Sequence, residues 1–423
     1  MFQSLIQRYR TLSPAQQRTV VFCGVLLAGM LAALAVMVLN LLLKRAYYPA
    51  VTFLFDPRYR FGDFYDVASF AARGLDVYTQ IGPNYFPFFM VLLLPLKYLP
   101  VQAALWGVSG VFVAFYAWLA YRLMPPMPCK PAWVAVFTVC SFPLLLALDR
   151  GNVEMLLFIV CGLFIYCYQK GYLKTAGLWL ALAINMKLYP AVFLVLFAAD
   201  KKYRELLLTL CLTAGFFALG YWLTGAGNKL GHNLAFFAMF YQQRPFGLQF
   251  SHSLMNIVRV PAFMSLDGGG PDTWGPFTQF SAEISLPYML FVLALFAVIC
   301  LYVVFLNPPR WKAVLLLTLA EIGFPFVSGD YTLVHLALPA LLLLAAPGRQ
   351  TRQTGVCVLL ALLFIPMNFW SHTYYMTHYA MVLNAGSLVR PLLIVVLLAV
   401  LMQDFTWHRL KTGVRGYFTG IRP

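Results

Sequence analysis

Charged side chains are scarce in this chain: Asp, Glu, Lys and Arg make up 10% of its 423 residues, whereas 62% are apolar. A soluble protein of this size could not cover so much apolar surface. The apolar residues form continuous blocks of about 18–25, the length that a helix needs to cross a bilayer. Because the blocks do not alternate with polar residues, they predict helices and exclude membrane strands.

Several motifs are also absent, and each absence removes a class of function. Neither a Gly-rich phosphate loop nor a GxGxxG segment is present, so nothing indicates a nucleotide substrate. CxxC and HExxH are missing, and the eight cysteines lie almost all in apolar blocks, so we interpret them as packing residues and expect neither disulfides nor a metal site. No repeat or soluble domain is visible, which predicts one membrane domain over residues 1–423.

Positive charge is plentiful, with a net charge of +16, but the 30 Lys and Arg lie in short clusters between apolar blocks. This distribution is typical of membrane topology and does not indicate nucleic acid as a partner. Arg8, Arg10 and Arg18 precede or open the first block, Thr19 to Leu43, which is too long for a cleaved signal peptide. We therefore expect an uncleaved anchor, with both termini of the chain in the cytoplasm.

The order of the blocks predicts an all-α polytopic bundle of about 10–12 membrane helices. Residues 46–100 are then a first outer loop with interfacial helices, and 226–284 a second, long outer loop. The apolar stretch 86–100 is short and rich in proline, so we expect it to enter the membrane without crossing. The remaining blocks after the anchor cover 102–123, 132–148, 153–169, 176–199, 205–225, 285–306, 313–327, 332–347, 354–370 and 389–403.

The block 176–199 is interrupted at Lys187 and has basic residues on both flanks. If both flanks are cytoplasmic, the block must be a hairpin of two short helices with Lys187 at its tip. In this arrangement ten of the 14 acidic residues fall on the outer side, where we expect any chemistry: Asp56, Asp63, Asp66, Asp76, Asp149, Glu154, Asp267, Asp272, Glu283 and Asp330.

Two carboxylates in the first outer loop are candidates for a catalytic base. Asp63 and Asp66 are three residues apart and would share one face of a helix at the membrane surface. A neighbouring charge and partial burial can set the pKa of such a base. A solvated interfacial helix with an aromatic belt would show the same pattern.

A second polar set opens the helix after block 132–148. Asp149, Asn152 and Glu154 are the residue types that hold sugar hydroxyl groups. The alternative is structural: Asn152 or Asp149 caps the helix, and Arg150 neutralises Asp149.

A lysine and a tyrosine lie at the break of block 176–199. Lys187 and Tyr189 have roughly ten apolar residues on each side, so the lysine cannot easily extend to the membrane surface. The pattern favours an anion site over a snorkelling lysine. Further polar candidates are His252 and Arg259 in the long outer loop, and Tyr331 with His335 at an outer helix start, where a histidine is commonly structural.

The order of these motifs resembles the membrane glycosyltransferases of the GT-C superfamily, family 87. The resemblance extends over most of the chain, and parts of it are similar to mannosyltransferases that act on phosphatidylinositol mannosides or on the glycosylphosphatidylinositol precursor. It rests on the first-loop acid, Gly74 to Tyr78, Tyr85-Phe86-Pro87, Gly151 to Glu154, Lys187 to Pro190, Ser251 to Leu254 with Arg259, and Tyr331 to His335. Asp149-Arg150 before Gly151, and Phe86 where a second proline is common, depart from the family pattern.

The resemblance implies a GT-C fold and an inverting hexosyltransferase whose donor is a polyprenyl-phosphate sugar, with no metal cofactor. By motif position Asp63 is the base, with Asp66 as the alternative. The donor phosphate would be bound by Lys187, Arg259 and His335. Sugar and acceptor would be held by Asp149, Asn152, Glu154, Tyr189, His252 and Tyr331.

The expected partners are the lipid bilayer, the sugar donor, which carries mannose or another hexose or pentose, and a lipid-linked or cell-envelope glycan acceptor. The expected location is the bacterial inner membrane, with the site facing the periplasm. Two other classes remain open. A transporter or lipid-linked-glycan flippase would place its site at broken helices near the membrane midplane. A scaffold subunit would use Lys187 and His335 for stability alone.

Overall fold

The computed structural model describes residues 7, 9–44, 52–54, 60–79, 85–237, 244–266, 274–348, 351–368, 371–375 and 380–419. In these residues the chain is an all-α polytopic bundle, as predicted, with one small β-hairpin. Three of the acidic residues predicted on the outer side, Asp56, Asp267 and Asp272, lie outside the described residues. All eight cysteines are free thiols.

The first half of the chain supplies ten α-helices within the described residues. They are α1 Pro14–Leu42, α2 Gly62–Ala72, α3 Pro87–Leu93, α4 Val101–Leu123, α5 Lys130–Val139, α6 Phe142–Arg150, α7 Glu154–Gln169, α8 Leu173–Met186, α9 Leu194–Ala199 and α10 Tyr203–Thr224. Short 3₁₀ turns at Gly74–Thr79, Leu94–Tyr98 and Tyr189–Phe193 lie between them.

The second half continues with α11 Gly227–Phe237, α12 Asn256–Ser265, α13 Trp274–Glu283, α14 Ser285–Leu306, α15 Arg310–Gly323, α16 Ala337–Ala345, α17 Thr351–Leu362, α18 Gly386–Met402 and α19 Trp407–Thr419. 3₁₀ turns occupy Pro245–Leu248 and Asp330–Leu336. The hairpin pairs β1 Ser371–Tyr375 with β2 Ala380–Asn384, antiparallel, with Ser371 opposite Asn384.

Among the described residues, four helical segments are long and apolar enough to cross a membrane: Pro14–Leu42, Val101–Leu123, Tyr203–Thr224 and Gly275–Leu306. Two bent pairs raise the number to six: α5 with α6, bent by 52°, and α18 with α19, bent by 65°. The predicted number of 10–12 is reached only by including apolar helices of 10–17 residues, each too short for a full crossing. Burial inside the bundle explains why those shorter segments are nevertheless apolar.

The long helices present apolar side chains to the outside of the bundle. Only 28% of the α1 window and 11% of the α10 window is buried inside the protein. On α1, Leu31, Val38 and Leu42 are exposed, and on α10 Trp222 is 76% exposed. Such a surface is stable only against lipid or another apolar partner.

The first helix begins five residues before the predicted block, and its sequence explains why. Ser13 accepts a hydrogen bond from the backbone N–H of Gln16, whose side chain accepts one from the backbone of Ser13. Pro14 occupies the first helical position, where its missing N–H costs nothing. Capping chemistry thus extends the helix beyond its apolar block.

The segment predicted to form an interfacial helix contains α2. Its buried side chains, Phe64, Val67 and Ala71, recur at the spacing of one helix face and pack against the bundle. Asp63 and Asp66 lie outside this apolar face and line a cavity.

The chain reverses direction at Lys187, as the hairpin prediction requires. Tyr168, near the end of α7 and shortly before the helix pair begins, donates its hydroxyl to the backbone oxygen of Leu196 at 2.9 Å and to the carboxylate of Asp200 at 2.8 Å. Both ends of the segment 173–200 therefore lie at the same end of α7. Lys187 itself is extended, with φ −148° and ψ 146°, and forms the tip.

Gly220 allows α10 to contact α3 closely. A Cβ atom at Gly220 would lie 2.2 Å from the backbone nitrogen of Phe88 and 2.5 Å from its Cα. Next to this contact the rings of Phe88 and Phe216 stack with their centroids 4.6 Å apart. Because the obstacle is backbone, no rotamer change could relieve a larger side chain.

We expect Gly220→Ala to lower the stability of the protein by about 1–3 kcal/mol, because α3 must move away from α10. Gly215 lies in the same helix, and a Cβ atom added there would have nothing within 4 Å, so Gly215→Ala is the matched control and should be neutral or slightly stabilising. Thermal unfolding in detergent micelles measures both. Equal melting temperatures for the two variants would contradict the close helix contact.

Candidate active site

A polar cavity of about 420 Å³ opens between α2, the start of α7, the hairpin tip at Lys187 and the segment that links α15 to α16. Its volume is in the range of small-molecule sites. Three carboxylates and two cations line it: Asp63, Asp66, Glu321, Arg150 and Lys187. Such a concentration of charge in a bundle that is otherwise apolar is typical of a functional site.

Asp63 is held by two side chains from the α6–α7 junction. The guanidinium of Arg150 donates to both carboxylate oxygens, with Nε at 3.1 Å from Oδ2, and the amide of Asn152 donates to Oδ2. The backbone N–H of Phe61 donates to the backbone oxygen of Asp149 at 2.8 Å, which fixes the start of α2 to the end of α6. The carboxylate of Asp63 is therefore oriented from two sides.

Gly151 makes this junction possible. Its φ of +62° lies in the left-handed region, and an added Cβ atom would lie 2.8 Å from the Cβ of Phe64. Asn152 follows and has two functions: its Oδ1 accepts the backbone N–H of Glu154 at 3.0 Å, and its Nδ2 donates to Asp63. The capping role and the site role of Asn152 are thus compatible.

The structural alternative for this segment paired Arg150 with Asp149, but the ion pairs that the structure shows are different. Asp149 pairs instead with Arg60, whose Nε lies 2.9 Å from Oδ1, and Arg150 pairs with Asp63. The reason is that adjacent residues at the end of α6 point to different sides of the helix. Asp66, one turn beyond Asp63, is more exposed, and partial burial, followed by the charge of Asp63, raises its pKa above the ordinary value.

Glu154 is fully buried and accepts hydrogen bonds from three side chains. Lys187 donates through Nζ at 2.5 Å, Tyr189 through its hydroxyl at 2.5 Å, and Nε2 of His335 lies 2.9 Å from Oε2. Lys187 and Tyr189 also line the cavity, whereas Glu154 and His335 lie directly behind them. The ammonium of Lys187 is therefore positioned on the cavity wall by a buried carboxylate.

Glu321 contributes a third carboxylate to the cavity from the apolar helix α15. Glu321 is buried, and neither of its carboxylate oxygens has a hydrogen-bond partner within the described part of the chain. Nδ1 of His335 lies 3.7 Å from Oε1 of Glu321. Cys161 also lies nearby. One possible metal-ligating atom from each of Cys161, Glu321 and His335 lies within 4.8 Å of the other two. The expectation that the protein uses no metal is therefore a prediction that metal analysis can test.

A second buried network supports the opposite wall. Nδ1 of His252 lies 3.2 Å from Asp330, and Arg390 forms an ion pair with the other oxygen of Asp330. Nε2 of His252 faces the hydroxyl groups of Ser328 and Thr332, at 3.2 and 3.4 Å. Ser328 and Thr332 line the cavity, so His252 supports the wall from behind.

Arg259 is placed away from these groups. Its guanidinium is buried, donates to the backbone oxygen of Arg244 at 3.0 Å and lies 5.3 Å from the ring centroid of Phe277. Burial lowers its pKa to about 10. Arg259 is not among the residues that line the cavity, so the predicted phosphate-binding set is divided in the structure.

The cavity brings most of the predicted site residues together. Those that line it are Asp63, Asp66, Asn152, Lys187, Tyr189 and Tyr331. Glu154, His335 and His252 each contact a residue that lines it, and Asp149 belongs to the α6–α7 junction. Within the described residues, Arg259 forms no hydrogen bond with a lining residue. The site residues that sequence analysis did not single out are Arg150 as the partner of Asp63, Glu321 on the wall and Arg390 beneath Asp330. A lone charge within an apolar block was the available signal for Glu321.

The family model of glycosyltransferase family 87 matches residues 84–260. The match supports a glycosyltransferase activity for the chain and includes Asn152, Glu154 and Lys187. It spans less than half of the chain, with Asp63 before it and His335 after it. Comparison with curated proteins gave no match.

We expect Glu154→Ala to destabilise the protein by about 3–5 kcal/mol, because it removes the fully buried carboxylate and leaves the partly buried ammonium of Lys187 without its counter-charge. Glu283→Ala is the matched control, since Glu283 is exposed and bonded only to Gln279 among the contacts that the structure describes. Thermal unfolding in micelles compares them. Similar melting temperatures would show that Glu154 does not hold these elements together.

His252 predicts a pH dependence of stability. Burial lowers its pKa below the ordinary value of 6.5, although Asp330 acts in the opposite direction. An unfolded chain takes up a proton on this imidazole as the pH falls below about 6.5, and the folded chain does not, so the contribution to stability is present above that pH and is lost below it. The melting temperature should fall less steeply from about pH 6.5 to 5 in His252→Gln than in the parent protein. His232→Gln, at an exposed position, should keep the parental slope.

Proposed function

We propose that this chain is a membrane glycosyltransferase of family 87 that transfers a sugar from a polyprenyl-phosphate donor to a lipid-linked or cell-envelope acceptor. The family match over residues 84–260 is the premise. The observation that carries the proposal is that two charged residues line the same cavity. Asp63 is a carboxylate oriented by Arg150, and Lys187 is a cation paired with the buried Glu154. The transferred sugar is mannose or another hexose or pentose.

A lipid-linked donor suits a site of this kind. The surface around the bundle is apolar, so a polyprenyl chain can remain in the hydrocarbon while its sugar-phosphate head enters the polar cavity. The sequence carries no nucleotide-binding motif. A sugar that is attached to a lipid through a phosphate fits both observations.

Asp63 acts as the general base. It takes the proton from the acceptor hydroxyl as that oxygen attacks the anomeric carbon, and the bond from this carbon to the phosphate oxygen breaks with its electron pair leaving on the phosphate. Arg150 and Asn152 hold the carboxylate in place, which keeps the base aligned with the acceptor. A single displacement of this type inverts the anomeric carbon. Asp66 is the alternative base, since it lies one turn away on the same wall.

Lys187 stabilises the negative charge that develops on the leaving phosphate. Its ammonium forms an ion pair with Glu154. Its side chain is nevertheless 23% exposed, and the residue lines the cavity. His335 does not line the cavity but contacts Glu154, the partner of Lys187, and is therefore a positioning residue. Arg259, which does not line the cavity, has no assigned step.

Asn152, Tyr189 and Tyr331 are the predicted sugar- or acceptor-binding residues that line the cavity. Asp149, Glu154 and His252 act from behind, because each is bonded to other protein groups. The proposal needs no metal.

The charge distribution favours an outer-face site. Helix α7 runs from Glu154 at the cavity towards Tyr168, over 16 residues or about 24 Å. Asp200 and Arg310 form an ion pair at the Tyr168 end. Basic groups on and around α19 lie at the same end: Lys201, Lys312, Arg352 and Arg409. Basic residues favour the cytoplasmic side, so the cavity faces the opposite, periplasmic side of an inner membrane.

The test is transfer of labelled sugar from a synthetic polyprenyl-phosphate donor to membrane-derived acceptors by the purified protein in lipid nanodiscs. Asp63→Asn should lower kcat by about 10²- to 10⁴-fold, the usual contribution of a general base. Asp66→Asn should have a smaller effect, and Glu283→Gln, at an exposed position, should have none. Full activity of the Asp63→Asn, Asp66→Asn double variant would refute both candidate bases.

A transporter or flippase is the competing function, and the chain reversal at Lys187 is the feature that favours it. The same labelled donor distinguishes the two. Movement of intact donor across a vesicle membrane, with no covalent product in the presence of acceptor, would replace the glycosyltransferase proposal by transport.

A further inference from the structure

Glu321 is a carboxylate on the cavity wall that the proposed reaction does not use. It lies in α15, whose last two turns are otherwise apolar apart from Thr318, with Leu315-Leu316-Leu317-Thr318-Leu319-Ala320 before it and Ile322-Gly323 after it. The residue is 2% exposed and borders the cavity. A carboxylate at such a position is costly unless a partner or a ligand compensates for lost hydration.

The protein does not supply that partner within the residues that the structure describes. Both oxygens of Glu321 lack a hydrogen bond, and the contact to Nδ1 of His335 at 3.7 Å is too long to be one. Glu154, by contrast, receives hydrogen bonds from Lys187, Tyr189 and His335 on its two oxygens. Of these two buried carboxylates, Glu321 is the one whose acceptor capacity remains available to a ligand.

The chemistry of the free oxygens selects the ligand group. A carboxyl group accepts hydrogen bonds whether or not it is ionised, and in its ionised form it repels a phosphate. A sugar carries several hydroxyl donors, and aromatic rings that suit the apolar face of a sugar ring also line the cavity: Phe70, Tyr85, Tyr189 and Tyr331. Hydroxyl groups are therefore the ligand groups that best satisfy Glu321.

We propose that Glu321 accepts hydrogen bonds from hydroxyl groups of the transferred sugar and so determines which sugar the cavity selects. This inference rests on the proposed glycosyltransferase function and adds a subsite to it. The donor phosphate meets Lys187, and its sugar reaches across to the α15 wall. Removing the sugar hydroxyl that binds Glu321 should then lower kcat/KM only in a protein that retains Glu321.

The experiment is a double-mutant cycle between the residue and the substrate. Donors lacking one hydroxyl at a time are compared with the full donor in the parent protein, Glu321→Gln and Glu321→Ala. In the parent protein, one deoxy donor should lose about 10- to 100-fold in kcat/KM, the usual effect of a hydrogen bond to a charged group. In Glu321→Ala the full donor should fall to that level, and the same deoxy donor should show no further loss. Additive losses for every deoxy donor would overturn the inference.

A binding measurement tests the subsite even without turnover. Polyprenyl-phosphate sugar should raise the melting temperature of the parent protein more than polyprenyl phosphate alone, and this difference should disappear in Glu321→Ala. Asp404→Asn is the control for an acid change away from the cavity, since Asp404 pairs with Lys312 at the other end, and it should keep the difference. A parent protein that binds the sugar but never transfers it would refute the proposed function and leave the subsite standing. An undiminished difference in Glu321→Ala would refute the subsite alone.

Two other roles for Glu321 give different outcomes. A metal held with Cys161 and His335 predicts about one metal ion per purified chain, lost in both Glu321→Gln and Cys161→Ser. A role through His335 alone predicts that Glu321→Gln shifts the pH profile of kcat while every deoxy donor keeps its parental penalty. Either result would overturn sugar selection by Glu321.

Discussion

The buried carboxylate of Glu154 is the group on which the rest of the site depends. It receives Lys187 and Tyr189 from the hairpin tip and His335 from the turn before α16, so three separate parts of the chain meet on one side chain. A charge at this depth is tolerated only when it is paired and hydrogen-bonded. The same requirement that holds Glu154 in place therefore brings a lysine to the wall of a polar cavity.

The α6–α7 junction connects this cluster to the proposed base. Asn152 caps the helix that begins with Glu154 and also donates to Asp63, while Arg150 binds Asp63 from the preceding turn. Gly151, with its positive φ, allows the junction to pass close to α2. Five consecutive residues thus set the positions of both the carboxylate and the cation, and all five fall within the matched family segment.

Hydropathy predicted the helical segments well where an element spans the membrane, as in α14, which begins and ends at the predicted residues 285 and 306. It did not predict the break between α5 and α6, the hairpin of β1 and β2, or helix α19, because these depend on local packing and not on mean apolarity. Six of the eleven predicted site residues line the cavity, and they include the proposed base and the proposed phosphate-binding lysine. Glu321 and Arg390 were overlooked, since a single charge in an apolar block carries no motif.

By itself, the sequence determined that the chain is a helical membrane protein, and it predicted a reversal at Lys187, which the contacts of Tyr168 with Leu196 and Asp200 confirm. These properties depend on composition and on neighbours along the chain. Only the tertiary structure decided the pairings: Asp63 with Arg150 across 87 positions, Glu154 with His335 across 181, and Glu321 with no hydrogen bond from the described residues. Charge partners so far apart are selected by helix packing, which the order of residues along the chain does not reveal.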